Sequence, residues 1–167
     1  MARYSFSTTS ITPTATADAT TSLSNSTYLA LLQGGSSTQR LNIAEIYMGG
    51  EASTSSPSVM VLARDSTVAT ATVSGGRVAV LDASNTAPAT TPIVGYTTTG
   101  TTPQRSATLH LLHLSFNAYG GIVRWVARPG EEPSVVGNTA SLGEVSLSAY
   151  TGGTTGQMSS HILYEVV

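Results

Sequence analysis

The feature that most constrains the fold is a two-residue alternation of apolar and polar side chains in short segments. In one segment, Val145, Leu147 and Ala149 are separated by single serines, and in the last segment Ile162, Tyr164 and Val166 alternate with His161, Leu163 and Glu165. Successive side chains of a β-strand point to opposite faces, so this spacing is typical of strands. No segment has the spacing of an amphipathic helix. We therefore predict an all-β protein.

Further candidate strands have the same character and end at clusters of Gly, Pro, Ser or Asn. They are Tyr28–Gln33, Leu41–Met48, Ser58–Arg64, Arg77–Asp82, Thr108–Phe116 and Ile122–Ala127. About eight short strands predict an antiparallel sandwich or barrel, most simply a jelly roll. We expect a single domain over residues 28–167 with a long loop at about 83–106, preceded by an extended N-terminal arm over residues 1–27.

Two of these strands are apolar on both faces. Ser58–Arg64 places Met60 and Leu62 opposite Val61, and Thr108–Phe116 has leucines on both sides. One face can fill the core, and the other needs cover from a neighbouring subunit or from the long loops of the same chain. We expect a neighbouring subunit.

The composition favours the same conclusion. Only 10% of the residues are charged, the formal net charge is −2, and serine, threonine, glycine and alanine dominate the polar segments. A monomer normally stays soluble through mixed surface charge, so this surface is typical of a packed assembly. The segments Thr8–Thr27 and Ala83–Gln104 are of low complexity and bury too little to order themselves, so we expect partner surfaces to hold them.

The missing residue types exclude several functions. All seven basic residues are arginines, so Schiff-base lysines and the Walker-type phosphate loop are excluded. The absence of cysteine excludes disulfides, thiolate nucleophiles and cysteine-ligated metals. The arginines are scattered, and no apolar run approaches membrane length, so we expect neither a nucleic-acid nor a membrane partner.

Catalytic patterns are weak. His110 and His113 are spaced for a metal on a helix, but on a regular strand they point to opposite faces, and only a bulge could bring them together. No Gly-x-Ser-x-Gly motif is present, and Glu131 and Glu132 lie in a turn where they diverge. We expect no enzyme activity, no cofactor and no metal, with a cupin-like metal enzyme as a lesser alternative.

Candidate interface residues come from three places. Tyr4 and Phe6 alternate with polar residues after Arg3, so we expect the arm to add to a neighbour as an edge strand or to lie in its groove. Trp125 is the only tryptophan, a residue type that suits a core, a subunit interface or a sugar-stacking platform, and we include it as an interface candidate. The full predicted set is Arg3, Tyr4, Phe6, Met60, Leu62, His110, His113 and Trp125.

Two stretches resemble a family of viral proteins. The block from Leu109 to Gly137, with Leu-His-Leu-Leu-His-Leu and Arg-Trp-Val-Ala-Arg-Pro-Gly-Glu-Glu, and the closing Ser160–Glu165 are similar to head decoration or cement proteins of tailed bacteriophages. The resemblance implies a β-barrel homotrimer on the outer capsid surface of a virion, bound to the major capsid protein and made in the bacterial cytoplasm. It transfers no functional residue. A receptor-binding or glycan-binding module on a similar barrel is the alternative.

Overall fold

The computed structural model describes residues 2–13, 21–23, 28–33, 40–69, 76–86, 101–136, 143–151 and 156–167. These residues contain no helix and form antiparallel strands: β1 (Ala2–Thr8), β2 (Tyr28–Leu32), β3 (Arg40–Glu51), β4 (Pro57–Thr67), β5 (Gly76–Val80), β6 (Gln104–Asn117), β7 (Tyr119–Val126), β8 (Ser134–Val136), β9 (Val145–Thr151) and β10 (Met158–Val166). The prediction of an all-β protein is confirmed.

The strands form two sheets that pack face to face. The large sheet has the order β5-β1-β10-β3-β7, with β8 also paired to β3, and the small sheet has the order β2-β9-β4-β6. Their inward faces enclose one core that includes Phe6, Ile46, Leu62, Leu147 and Ile162. The fold is therefore an antiparallel β-sandwich, and its jelly-roll form stays a prediction.

The start of the chain is an internal strand of the sandwich. β1 pairs with β10 on one side and with β5 on the other. Tyr4 stacks on Tyr164 with ring centroids 5.6 Å apart, and Phe6 is 1% exposed. The predicted arm is thus wrong for residues 2–8, because their alternating side chains complete this chain's own core. Residues 14–20 and 24–27 of that arm lie outside the described part.

Both faces of β4 are buried within the chain. Met60 and Leu62 lie in the core between the sheets, while Val61 and Ala63 on the outer face form a second buried cluster with Tyr150. The neighbouring subunit that we expected over this strand is not needed, because the chain itself removes the outer face from solvent. For β4 the alternative of cover by the same chain is correct.

The predicted loop at about 83–106 is only partly described. Residues 81–86 form a bend and turn after β5, and β6 already begins at residue 104. Residues 87–100, which carry most of the low-complexity sequence, lie outside the described residues. The proposed contact of this loop with a partner stays a prediction.

Candidate interaction surface

One side of the sandwich is bounded by β6 and β7, which a tight turn joins although they belong to different sheets. β6 is an edge strand of the small sheet and β7 is an edge strand of the large sheet. Among the described residues, no strand pairs with the outer edge of β7, or with that of β6 between residues 106 and 116. Unpaired strand edges present N–H and C=O groups that another chain can bind. We call residues 109–126 the open edge.

Apolar side chains line the open edge. Four of the eight large apolar side chains exposed in the described residues lie here: Ile122 at 69%, Tyr119 at 59%, Val126 at 52% and Leu109 at 39%. Six more are only half-buried against the core: Leu111, Leu112, Leu114, Phe116, Val123 and Trp125. The core is therefore less completely covered along this side, and a partner would bury apolar area here.

The turn between β6 and β7 is tightly specified by Asn117 and two glycines. The side-chain oxygen of Asn117 accepts hydrogen bonds from the backbone amides of Ser56 at 3.0 Å and Tyr119 at 2.9 Å. Gly120 has a φ of 66°, in the region that favours glycine. A Cβ on Gly121 would lie 2.0 Å from the carbonyl oxygen of Asn117, so this position requires glycine too. Asn117, Gly120 and Gly121 together define the turn from which β6 and β7 enter separate sheets.

His110 and His113 lie on the same face of β6. Leu62 pairs with Leu112 and the next residue, Ala63, pairs with His110, so a bulge at Leu111 interrupts the alternation. The two rings are nearly parallel at 5°, with centroids 6.4 Å apart. The expectation that they point to opposite faces is wrong, because the bulge inserts one extra residue between them.

The structure brings three of the predicted interface residues to the open edge and separates the others. Trp125 on β7 is half-buried against the core, and His110 and His113 are exposed on β6. Arg3 lies on β1, where its Nε is 2.6 Å from the Glu165 carboxylate.

The remaining four predicted interface residues are part of the core. Tyr4, Phe6, Met60 and Leu62 are at most 5% exposed, so they cannot contact a partner in this fold. Their apolar side chains pack in the core of the sandwich and form no interface.

Ile122 and Val126, two of the three most exposed apolar residues of the open edge, are not among the predicted interface residues. Both lie in a candidate strand that also carries Val123 and Trp125 on its other face. The sequence of β7 is therefore apolar on both faces, as in the two strands described above. This pattern predicts an apolar outer face on β7.

A polar row crosses the outer face of the large sheet. Ser7 and His161 share a 2.7 Å hydrogen bond between Oγ and Nδ1, and the His161 ring lies 6.1 Å from that of Tyr47. The Arg124 guanidinium lies 5.2 Å from the Tyr47 ring centroid and pairs with Glu45. A hydrogen bond from the Tyr47 hydroxyl, followed by that from Arg124, lowers the pKa of Glu45. The Glu45–Arg124 ion pair therefore stays charged at neutral pH.

Shallow pockets lie on either side of the polar row. One of about 300 Å³ is bordered by Tyr47, His161 and Ile122, and another of about 240 Å³ is bordered by Glu45 and Leu81. Their mixed polar and apolar walls suit a small polar ligand.

Two buried carboxyl groups lie at the end of the small sheet. Ser146 Oγ donates a 2.6 Å hydrogen bond to Asp65, and Glu144 accepts hydrogen bonds from the Ala69 amide and the Gln33 side chain. Burial, with a hydrogen bond to Glu144, raises the pKa of Asp65 to about 9, and burial also raises the pKa of Glu144. Because both side chains are fully buried, solvent and substrate cannot reach them.

Comparisons with known proteins add no functional assignment. No protein-family model, curated protein or solved structure matched the chain. Within the described residues, no three histidine, aspartate or glutamate side chains are grouped to hold a metal ion. The described part of the chain also has no helix that could cross a membrane.

Proposed function

We propose that this chain is a non-enzymatic virion structural protein, a decoration or cement protein on the outer surface of a tailed-bacteriophage capsid. It folds as a jelly-roll-like sandwich in the cytoplasm of the bacterial host and assembles as a homotrimer bound to the major capsid protein. The observation that carries the proposal is the open edge, where unpaired strand edges and exposed apolar side chains coincide. The sequence resemblance supplies the capsid as partner.

The open edge supports assembly for two physical reasons. Ile122, Tyr119 and Val126 are each more than half exposed, so a contact would gain from the removal of apolar area from water. The unpaired backbone of β6 and β7 adds hydrogen bonds along the same side. These contacts use few charges, so we expect assembly to depend weakly on salt concentration.

A decoration protein stabilises a capsid by binding to its assembled form. A protein that binds the assembled shell but not its separate subunits stabilises the shell by about 1.4 kcal/mol for each tenfold excess of free protein over its dissociation constant. Many copies on one shell add their contributions. No chemical step is required, which fits an interaction surface built from unpaired strand edges and exposed apolar side chains.

The experiment compares virions with and without this protein. Quantitative mass spectrometry of purified virions should find the chain in a fixed ratio to the major capsid protein. Shells stripped of it should release DNA at a lower temperature, and adding back the wild-type protein should restore the higher temperature. A chain absent from virions, or shells with identical release temperatures, would contradict the proposal.

A glycan-binding module is the second candidate, and the polar row favours it. Tyr47 and His161 present aromatic rings beside charged Arg124 and Glu45, between two shallow pockets. Such a surface can stack on a sugar ring and bond its hydroxyl groups. Binding on a glycan array that is lost in Tyr47→Ala, with no protein found on virion heads, would favour this candidate over decoration.

A further inference from the structure

A histidine pair on β6, within the open edge, is a candidate metal site, an activity beyond the assembly proposed above. We propose that His110 and His113 together bind one late first-row divalent metal ion, of the class of Cu²⁺, Ni²⁺ or Zn²⁺, through one nitrogen of each ring. Neutral imidazole is a common protein ligand for these ions.

The bulge at Leu111 creates the pair. His113 is opposite Val61 and His110 is opposite Ala63, and those two β4 residues lie on one face of the sheet. The two histidines therefore stand on the same face despite a spacing of three, as residues two apart do on a regular strand. Because the backbone of β6 is paired with β4 here, the sheet holds the two ring positions relative to each other.

The ring separation is close to that of two imidazoles on a shared ion. A nitrogen binds Zn²⁺ at about 2.1 Å, so two imidazoles on one tetrahedral ion have ring centroids about 5 Å apart. The rings of His110 and His113 are 6.4 Å apart and almost parallel, so their nitrogens lie in parallel planes. Binding therefore requires rotation about the side-chain bonds of these two exposed residues, which directs one nitrogen of each ring at the same ion.

The surroundings are compatible with chelation. Both histidines are exposed, so an ion can enter from solvent and keep water as its other ligands. Each residue also has another interaction within the chain. An imidazole that is held through one ring nitrogen can bind a metal through the other, and such contacts orient metal-binding histidines.

The test measures metal binding to the untagged, chelator-treated full chain by calorimetry with Ni²⁺ and with Cu²⁺. We expect one strong site per chain, and at least tenfold weaker binding in both His110→Asn and His113→Asn. His161→Asn is the matched control, since the chain has only three histidines, and it should bind as the wild type does. Equal melting temperatures without metal will show that the variants are folded.

Electron paramagnetic resonance of the Cu²⁺ complex counts the nitrogen ligands. The wild type should show two imidazole nitrogens, and each single variant of the pair should show one. Unchanged affinity in either variant, or loss of the site in His161→Asn, would overturn the proposal. The result does not depend on whether the chain decorates a capsid, so failure here leaves the proposed function standing.

Discussion

The backbone amide of Asp65 donates a 3.0 Å hydrogen bond to the carbonyl oxygen of Glu144, and this pairing sets two buried carboxyl groups side by side. Glu144 accepts from Gln33 and from the Ala69 amide, which favours its charged form. Burial raises the pKa of both carboxyl groups, and Asp65, whose pKa is about 9, keeps its proton at neutral pH.

Because folded Asp65 retains a proton, we predict that the free energy of unfolding falls as pH rises. The pKa of Asp65 is about 9 in the folded protein and 3.8 ordinarily, so between these values the folded state keeps a proton that the unfolded state releases. Its stabilising effect is complete below about pH 4 and is lost as pH rises toward 9, by up to about 1.4 kcal/mol per pH unit. Urea unfolding at pH 5 and pH 9 measures the difference.

The Asp65→Asn variant measures how much of the pH dependence of stability comes from Asp65. An asparagine amide can donate to Glu144 without a proton that titrates, so we expect a smaller loss of stability between pH 5 and pH 9. Asp82→Asn is the matched control, because hydrogen bonds from Ser84 lower the pKa of exposed Asp82 and it stays ionised over this range. An equal pH dependence in the wild type and Asp65→Asn would contradict the assignment.

The N-terminal strand should be essential for folding. Because β1 pairs on both sides, removal of residues 1–9 should give an unfolded chain. Phe6→Ala should lower the free energy of unfolding by about 3–5 kcal/mol, since it leaves a cavity in the core. Arg3→Ala, which breaks only an exposed ion pair on the same strand, should cost less than about 1 kcal/mol. A folded truncated chain by circular dichroism would refute this role.

The turn at the open edge should tolerate no side chain at Gly121. A Cβ there meets backbone that cannot move aside, so Gly121→Ala should cost about 3 kcal/mol or more. Gly49→Ala is the control on the neighbouring strand, where a Cβ would lie 3.2 Å from the movable side chain of Ile122. We expect it to cost less than about 1 kcal/mol in urea unfolding. Similar losses in the two variants would mean that the turn is not fixed as described.

The fold could be predicted from the sequence because side-chain alternation reports directly on strand faces. Each of the eight candidate segments coincides with a strand, although three of them extend one or two residues past the end of that strand. Ser134–Val136 was missed because three residues are too few to show a period. The sequence predicts an arm at β1 because a long polar segment follows this strand. Its pairing with β10 joins two strands that are far apart in the sequence, so no local pattern indicates it.

The candidate surface was less predictable, since it depends on strand order. Nothing local to β6 shows that it is an edge strand. Nor does it show that a bulge at Leu111 places His110 and His113 on one face of the sheet. The pairing of Asp65 with Glu144 likewise arises from contact between β4 and the segment before β9, which are distant in sequence. Such contacts need the tertiary structure.

The open edge should control assembly. Ile122→Asp places a charge on the most exposed apolar side chain of β7, so it should weaken self-association at least tenfold while the chain stays folded by circular dichroism. Leu81→Asp is the matched control, because Leu81 is 53% exposed but follows β5 at the other end of the large sheet. Sedimentation equilibrium measures both. Equal weakening in the two variants would contradict the choice of surface.

The most direct test of the proposed assembly is the mass of the wild-type chain in solution. Multi-angle light scattering at micromolar concentration should give about three times the chain mass of 17.1 kDa, at both low and molar salt. A stable mass of one chain under these conditions would contradict assembly through the open edge. A trimer that dissociates in molar salt would contradict its apolar character.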